Sequence, residues 1–354
     1  MDGMQHALSP QGTAVGNPKG NPIGVPAGMA SFRVASQRTL NTSIDCVGIG
    51  LHSGRRVKMA LHPAAPNHGI VFRRTDLGPP GPGSAGPGSA DPGHPGPGPA
   101  DPGHDIPARF DHVVDTRLAT VLADPADPTV RVSTVEHVMA ALTGCGIDNA
   151  LIEVDGPEVP VLDGSAAHLV FLIDCAGTAI QDAPRRAIQV LRAVRVSDGD
   201  AFAELGPARP THDGLDLAMS IEFAAAAIGH QALSLRLTPD SFRQELSRAR
   251  TFALAEDIDR LRAAGMARGG SLENAVVVDA ARVLNPGGLR MHDEFVRHKL
   301  LDAVGDLALA GAPLAASFTA HRSGHGLNNR LLRALLADAS AWRMVTDVPV
   351  RVAA

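Results

Sequence analysis

The amino-acid sequence predicts an α+β fold built from two similar domains. Its 354 residues exceed one minimal domain and fit two domains of ordinary size. In both halves, strand-like runs cluster before helical runs without strict strand–helix–strand alternation, which favours α+β over a doubly wound sheet. The two halves therefore look like loose duplicates of one unit.

The first domain is predicted at residues 32–187, after an extension at residues 1–31. The extension is rich in Gly, Pro, Asn and Ala without a hydrophobic period, so we expect it to be disordered, with translation starting at Met1 or Met29. Alternating or β-branched runs predict strands at SFRVASQRTL, VKMAL, GIVFRR, TRLATVLA and NALIEVDG. Helices are predicted at STVEHVMAALTG and AAHLVFLIDCAG.

A Pro/Gly-rich insert at residues 78–104 interrupts this domain. It lacks aromatic and large aliphatic side chains, so it cannot bury apolar area to offset the entropy lost on ordering. Its glycines are irregularly spaced, which excludes a collagen-like helix. We therefore expect a long loop.

The second domain is predicted at residues 188–340, followed by a C-terminal tail at residues 341–354. Its strand candidates are AIQVLRAVRVSD, GLDLAMSIEF and ALSLRL. Its helix candidates are DSFRQELSRA, EFVRHKLLDAVGDLALAG and LNNRLLRALLADASAW.

Composition excludes several classes of protein. The formal charge of −5 comes without a basic run, so we expect no nucleic-acid partner. The longest apolar stretches are broken by Gly and Pro, so we expect no stable membrane insertion. The N-terminus has no secretory leader, which favours a cytoplasmic location. Three distant cysteines without CxxC spacing predict buried thiols and neither a disulfide framework nor a thiolate metal site.

One late helix carries a stripe of polar ligand-type side chains. His298, Asp302 and Asp306 follow each other at i, i+4 and i+8 in EFVRHKLLDAVGDL and so share one face. A solvated His–Asp pair is the commoner explanation of an isolated HxxxD motif. A catalytic zinc needs about three protein ligands, so a third residue must come from elsewhere.

Glu136 and His137 offer that third ligand and a catalytic carboxylate. A glutamate beside a metal ligand has the placement seen in metal-assisted hydrolysis, where a carboxylate takes the proton of the attacking water. The alternative role of Glu136 is structural, because Ser133 precedes it at the spacing of a capping box. The local sequence leaves both roles open.

Three further segments contain side chains suited to ligand contact. HRSGHGLNN places His321 and His325 among glycines just before a helix, where a histidine serves as an acid or lies free in a surface turn. SRARTF (247–252) and GLHSG (50–54) combine basic and hydroxyl groups suited to phosphate or sugar.

Taken together, STVEHVMAALTGCGIDNALIEVDGPEVPVLDGSA, SRARTF, DEFVRHKLLDAVGDL and SGHGLNN resemble the UDP-3-O-acyl-N-acetylglucosamine deacetylases, the zinc amidases of lipid A biosynthesis. The segments occur in the family's order, and the resemblance covers about residues 36–340. It implies two domains, each a two-layer sandwich of a sheet and helices, with the active site between them. It also implies a monomer that acts on a small-molecule UDP-sugar substrate.

The resemblance implies a role for each candidate residue. His137, His298 and Asp302 match the zinc ligands, and Glu136 matches the general base. The other matches are His325 as the acid that protonates the departing amine, Asp306 as the residue that orients His325, and Thr251 as a hydroxyl donor to the oxyanion.

Substrate contacts are implied for Lys299, Phe252, Leu118 and, near the diphosphate, His52. An insert at about residues 250–290 resembles the family's apolar passage for the acyl chain. Two alternatives remain open at this point. One is an amidase for another acylated amino sugar, and the other is a zinc-stabilised sugar-nucleotide binding protein without turnover.

Overall fold

The computed structural model describes residues 35–78, 104–209 and 214–346, all within one compact unit. The predictions for residues 1–31 and for most of the insert at 78–104 therefore lie outside the described part of the chain.

The described strands of the first half form three separate sheets. In chain order they are β1 Ser36–Leu40, β2 Ile44–Ile49, β3 Arg56–Pro63, β4 Ile70–Arg74, β5 His104–Pro107, β6 Val113–Asp115, β7 Val121–Ala123, β8 Arg131–Val132, β9 Ala150–Val154 and β10 Thr178–Pro184. The largest sheet has the order β2-β3-β9-β4-β5, with β4 parallel to β9 and the other neighbours antiparallel. Strands β1 and β10 form a ribbon, and β6, β7 and β8 form the third sheet.

The strands of the second half form two sheets. They are β11 Ala187–Val190, β12 Val194–Asp198, β13 Ala201–Pro207, β14 Leu215–Glu222, β15 His230–Arg236, β16 Phe252–Leu254, β17 Val276–Asp279, β18 Arg282–Val283, β19 Leu314–His321 and β20 Trp342–Val345. Strand β19 is central to the seven-stranded sheet and pairs with β11, β13 and β14. The inward face of β14 is formed by the buried Leu215, Leu217, Met219 and Ile221, the alternation expected of a strand with one buried face.

Six α-helices accompany these sheets within residues 35–78, 104–209 and 214–346. They are α1 Glu136–Gly144, α2 Ala167–Ala176, α3 Pro239–Ser241, α4 Ala255–Ala263, α5 Glu294–Ala308 and α6 His325–Ala337, and α3 continues as a π-helical turn at Phe242–Leu246. In the described part of the chain, no helix is long and apolar enough to cross a membrane.

The predicted α+β class is confirmed, since strands and helices are segregated along much of the chain. Every sheet takes its strands from one side only of residue 185. This segregation fits the domain boundary expected between residues 187 and 188, but the described residues belong to one compact unit. The two-domain division stays a prediction.

The structure excludes the alternative role of Glu136 in a capping box with Ser133. Helix α1 begins at Glu136 itself, its N-cap is Val135, and no side chain caps it. The Glu136 carboxylate instead accepts a hydrogen bond from the backbone N–H of Thr120, 3.0 Å away. The capping-box motif is recognised only from the spacing of residues along the chain. Here the Glu136 carboxylate binds a residue distant in sequence and so does not bind the N-terminus of its own helix.

Two other boundaries differ from the sequence reading. Within the predicted strand TRLATVLA only Val121–Ala123 pair, as β7. In the predicted C-terminal tail, Trp342–Val345 form β20, antiparallel to β11. This strand is only four residues long, so its sequence could not reveal that it pairs with β11.

Helices α1 and α5 approach each other closely at Gly305. A Cβ atom added at Gly305 would lie 2.0 Å from the backbone oxygen of Glu136, so the two backbones touch where only glycine fits. Buried apolar residues such as Val138, Leu301 and Val304 surround this crossing. The crossing brings the first turn of α1 against the middle of α5.

Candidate active site

Three side chains from α1 and α5 form a compact set of metal-ligand type. His137 lies in the first turn of α1, while His298 and Asp302 lie one turn apart on α5. Their ligand atoms all lie within 4.8 Å of one another, and all three residues are buried. Charged residues are seldom buried without partners, so this cluster is a candidate functional site.

The carboxylate of Asp302 lies between the two imidazoles. Its Oδ1 is 3.3 Å from Nε2 of His298 and 3.5 Å from Nε2 of His137. Burial alone would raise the pKa of Asp302, but the neighbouring His298 and Lys299 side chains outweigh it and hold that pKa well below its usual range. Asp302 therefore keeps its negative charge.

The two histidines respond differently to this environment. Burial lowers the pKa of His298 to about 4, so its ring is neutral near pH 7. Burial alone would also lower the pKa of His137, but the hydrogen bond and the charge of Asp302 outweigh it and raise the pKa. The negative charge of Asp302 thus favours a positive charge nearby. A proton on His137 supplies that charge here, and a bound divalent cation would take the place of the proton.

The Nδ1 atom of His298 lies 3.0 Å from the backbone oxygen of Ala249. A carbonyl oxygen only accepts hydrogen bonds, so Nδ1 carries the proton and Nε2 presents a lone pair toward Asp302. This arrangement of a ligand histidine and a backbone acceptor is typical of metal sites. Two imidazoles and one carboxylate, converging with a fourth side open, fit a catalytic zinc.

Glu136 lies beside this cluster and is almost completely buried. Burial raises the pKa of Glu136, an effect that the charges of His325 and His137 partly oppose. Its Oε1 is 3.9 Å from Nε2 of His325, whereas its Oε2 accepts from the backbone of Thr120. A carboxyl of raised pKa with one free oxygen is suited to take a proton from water.

Asp306 binds three hydrogen-bond donors at once. His325 lies with Nδ1 2.9 Å from Oδ2, Asn328 donates to the same oxygen at 2.8 Å, and the Thr120 hydroxyl donates to Oδ1 at 2.6 Å. Burial alone would lower the pKa of His325, but the charges of Asp306 and Glu136 outweigh it and raise the pKa to about 9. His325 is therefore a cation near pH 7.

These groups open onto a cavity of about 420 Å³. This volume suits a small organic ligand. Its lining residues are Leu51, Thr116, Arg117, Leu118, Thr134, Glu136, His137, Phe223, Thr251, Phe252, His298, Lys299, Asp302, Gly324, His325, Gly326 and Leu327. Of the residues expected to contact substrate or oxyanion, Thr251, Lys299, Phe252 and Leu118 thus line it.

Lys299 and Phe252 lie directly against the metal-ligand cluster. Lys299 donates from Nζ to Oδ2 of Asp302 at 2.9 Å. The ring of Phe252 packs edge-on against Phe295, with the ring centroids 5.0 Å apart, and lies 6.3 Å from the His298 ring. One wall of the cavity is therefore aromatic.

His52 does not line this cavity, although its neighbour Leu51 does. Both ring nitrogens of His52 are buried and have no hydrogen-bond partner among the described residues. Burial lowers the pKa of His52. The segment that contains His52 is held through its backbone. The Glu158 carboxylate accepts hydrogen bonds from the backbone N–H groups of His52 and Ser53, each at 2.8 Å.

One other histidine candidate from the sequence lies apart from the cavity. His321 lies on β19 with Nδ1 2.9 Å from the Ser220 hydroxyl and does not line the cavity. The predicted acyl-passage insert forms β16, α4, β17 and β18, and its first residues, Thr251 and Phe252, line the cavity. Its role stays a prediction.

The sequence reasoning missed Thr120 and Asn328. Asn328 follows His325 by three residues in α6, a helical spacing that would have placed both side chains on one face. Thr120 had no such signal, because its partners Glu136 and Asp306 are 16 and 186 residues away.

Comparison with known proteins agrees with this geometry. The model of the family UDP-3-O-acyl N-acetylglycosamine deacetylase matches residues 37–91 and 98–337, and the gap between these ranges lies in the Pro/Gly-rich insert. A protein of Idiomarina loihiensis named UDP-3-O-acyl-N-acetylglucosamine deacetylase is 47% identical over 312 residues, which cover 88% of this chain and 92% of the relative.

Proteins of the same name from two other organisms are similarly close. The Myxococcus xanthus protein is 46% identical over 88% of this chain and 89% of its own length. The protein from a Shewanella species is 45% identical over 89% of this chain and 95% of its own length. Matched by the family model over most of its length and by such relatives, the chain belongs to the UDP-3-O-acyl N-acetylglycosamine deacetylase family.

Proposed function

We propose that this chain is a zinc-dependent amide hydrolase of lipid A biosynthesis. It hydrolyses the 2-acetamido group of UDP-3-O-acyl-N-acetylglucosamine, giving UDP-3-O-acyl-glucosamine and acetate. The family and the printed names of its relatives support this activity. The observation that supports it most directly is a buried base, Glu136, and a half-buried cationic acid, His325, beside three side chains of metal-ligand type.

His137, His298 and Asp302 would hold the zinc ion. When bound, zinc supplies a Lewis acid that polarises the acetamide carbonyl and lowers the pKa of water. Lys299 lies against Asp302 and keeps that carboxylate oriented. The Ala249 carbonyl keeps the proton of His298 on Nδ1 and so leaves Nε2 free to coordinate.

Glu136 and His325 divide the proton transfers. Glu136 accepts a proton from water as the oxygen adds to the acetamide carbon. His325 donates its Nε2 proton to the amide nitrogen as the C–N bond breaks, so the amine leaves without negative charge. Asp306 holds His325 by Nδ1, which directs Nε2 toward Glu136 and the cavity.

The remaining side chains bind and orient the substrate. The Thr251 hydroxyl and the cationic His325 oppose the charge that develops on the carbonyl oxygen. Lys299 and Phe252 contact the substrate from the aromatic wall, and Leu118 contacts it from the rim. His52 binds near the diphosphate, where its two unpartnered ring nitrogens would find a ligand. We expect a monomer that acts in the cytoplasm.

Acetate release from UDP-3-O-acyl-N-acetylglucosamine by the purified protein tests this proposal, with bound zinc and iron measured by elemental analysis. We expect zinc-loaded protein to release acetate, and Glu136→Ala to keep its zinc and lose the activity. Zinc-loaded wild-type protein that releases no acetate would leave the binding protein without turnover as the better explanation. Full zinc content in His298→Ala would show the ligand assignment to be wrong.

The remaining alternative is an amidase that acts on another acylated amino sugar. Assaying acetate release from such a compound distinguishes it from the proposed function. Faster acetate release from that compound would move the assignment to another amidase. The same chemistry would then act on a different sugar, and the roles of Glu136 and His325 would be unchanged.

A further inference from the structure

A buried ion pair lies next to the site and plays no part in the reaction described above. Glu294, the first residue of α5, is completely buried, and Arg250 is 8% exposed. The Arg250 guanidinium binds both carboxylate oxygens, with Nε 2.8 Å from Oε1 and Nη2 3.0 Å from Oε2. A buried pair of this kind contributes little net stability, so its position calls for another explanation.

The same carboxylate also binds two backbone N–H groups. Arg250 donates its backbone N–H to Oε1 at 3.0 Å, and Arg290 donates its own to Oε2 at 2.7 Å. Burial alone would raise the pKa of Glu294, but these hydrogen bonds and the Arg250 side chain outweigh it and lower the pKa. Glu294 is therefore a fixed anion around which two backbone segments are ordered.

The peptide unit that joins Ala249 to Arg250 links Glu294 to His298. Its N–H donates to Glu294, and its carbonyl oxygen accepts from Nδ1 of His298 at 3.0 Å. Because a peptide unit is planar, holding its N–H fixes the direction of its carbonyl oxygen. Glu294 and His298 are four residues apart on α5, so their side chains lie one turn apart on the same face of the helix. A single peptide unit therefore contacts both side chains.

We propose that Glu294 is a positioning residue that sets the tautomer of His298 by fixing the peptide plane between Ala249 and Arg250. The next residue, Thr251, is held in the same segment, since its N–H donates to the Gly164 oxygen and its own oxygen accepts from the N–H of Val276, both at 2.8 Å. Glu294 thus orders a ligand histidine and the start of the segment that carries the oxyanion hydroxyl. The proposal rests on the proposed role of His298 as a metal ligand.

The tautomer of His298 is the direct readout and needs no metal. In the metal-free wild-type protein with ¹⁵N-labelled histidine, nitrogen chemical shifts are expected to place the His298 proton on Nδ1. A proton on Nε2 would overturn the proposal without any variant. In Glu294→Asp the carboxylate keeps its charge opposite Arg250 but is one methylene shorter, so we expect a mixture of tautomers.

Zinc affinity, measured by competition with a chelator, is the second readout. We expect Glu294→Asp to bind zinc about 10- to 100-fold more weakly, the range seen when partners behind a ligand are removed. Arg250→Lys keeps the backbone N–H that binds Glu294, so it should retain the tautomer and most of the affinity. An equal loss in both variants would assign the effect to the ion pair and contradict the proposal.

Asp148→Asn is the matched control. Asp148 likewise accepts an arginine side chain, Arg185 at 2.7 Å, and a backbone N–H, that of Arg38 at 2.9 Å, but away from the site. Its zinc affinity and His298 tautomer should equal those of the wild type. Wild-type values in Glu294→Asp would sink the proposal, whereas a wild type that binds no zinc would instead refute the proposed function.

Discussion

The Nδ1 atom of His325 lies 2.9 Å from Oδ2 of Asp306, and two other donors, Asn328 and Thr120, bind the same carboxylate. Three donors hold the Asp306 carboxylate in one orientation. The negative charge in turn keeps His325 protonated, with a pKa raised to about 9. This pair therefore supplies a proton donor at neutral pH from a side chain that is usually neutral there.

We predict a bell-shaped dependence of kcat/KM on pH. A raised pKa keeps His325 protonated until the pH passes about 9, above which the proton donor is lost and activity falls. Burial raises the pKa of Glu136, so this base becomes protonated, and activity falls, at a higher pH than for an ordinary carboxyl. Steady-state rates across the pH range test both limbs. An alkaline limb that persists unchanged in His325→Gln would show that another group is the acid.

Replacing Asp306 by asparagine should move the alkaline limb to lower pH. The neutral amide removes the charge that raises the pKa of His325, so the histidine loses its proton earlier. Because a positioned acid contributes about 10²- to 10⁴-fold to rate, we expect kcat/KM to fall by about 100-fold at pH 7.5.

Asp105→Asn is the control for this change. Asp105, like Asp306, accepts hydrogen bonds on both carboxylate oxygens, but its donor is Arg73 and it lies at the five-stranded sheet away from the site. It should leave the pH profile unchanged. An unshifted alkaline limb in Asp306→Asn would mean that Asp306 does not control the protonation of His325.

Much of the site could be predicted because its residues lie in long, ordered motifs. The helical spacing of His298, Asp302 and Asp306 placed them on one face of α5, and the structure has them there. The role of Glu136 stayed open at the level of sequence, because the group that its carboxylate binds, the backbone N–H of Thr120, lies 16 residues away. Spacing along the chain contains no information about such a partner.

The fold could be predicted to the level of class but less well at element edges. Strand β14 could be predicted from its sequence, because every residue on its buried face is apolar. Strands β20 and β7 are short and form because they pair with the neighbouring strands β11 and β8. The local sequence pattern contains no information about such pairing. The hydrogen bond between His298 and the Ala249 carbonyl could not be predicted either, because a backbone acceptor has no sequence signature.

Thr120 should matter through its hydroxyl. Thr120→Val keeps the backbone N–H that binds Glu136 but leaves Oδ1 of Asp306 without its donor. A hydrogen bond to a charged group contributes about 1.5–3 kcal/mol, so we expect kcat to fall roughly 10- to 100-fold. Thr120→Ser keeps the hydroxyl and should retain most of the activity. Equal activity of the valine and serine variants would show that the hydroxyl is dispensable.

Metal removal should lower the thermal stability of the folded protein. A ligand that binds only the native state stabilises it, and three buried side chains of this site come from two different helices. We expect chelation to lower the Tm of wild-type protein and added zinc to restore it. The Tm of His298→Ala should not respond to either treatment. A response equal to that of the wild type would place the stabilising metal elsewhere.

Gly305→Ala should weaken metal binding without touching a ligand. The added methyl group would lie 2.0 Å from the backbone oxygen of Glu136, so α5 must move away from α1. That movement separates His298 and Asp302 on α5 from His137 on α1. Overpacking of this kind costs about 1–3 kcal/mol of stability, which urea unfolding measures, and we expect zinc affinity to fall together with it. Gly287→Ala is the matched control, because a Cβ atom there meets nothing within 4 Å, and both quantities should stay at wild-type values. If Gly305→Ala lost stability but kept full zinc affinity, the close crossing of α1 and α5 would serve the fold and not the metal site.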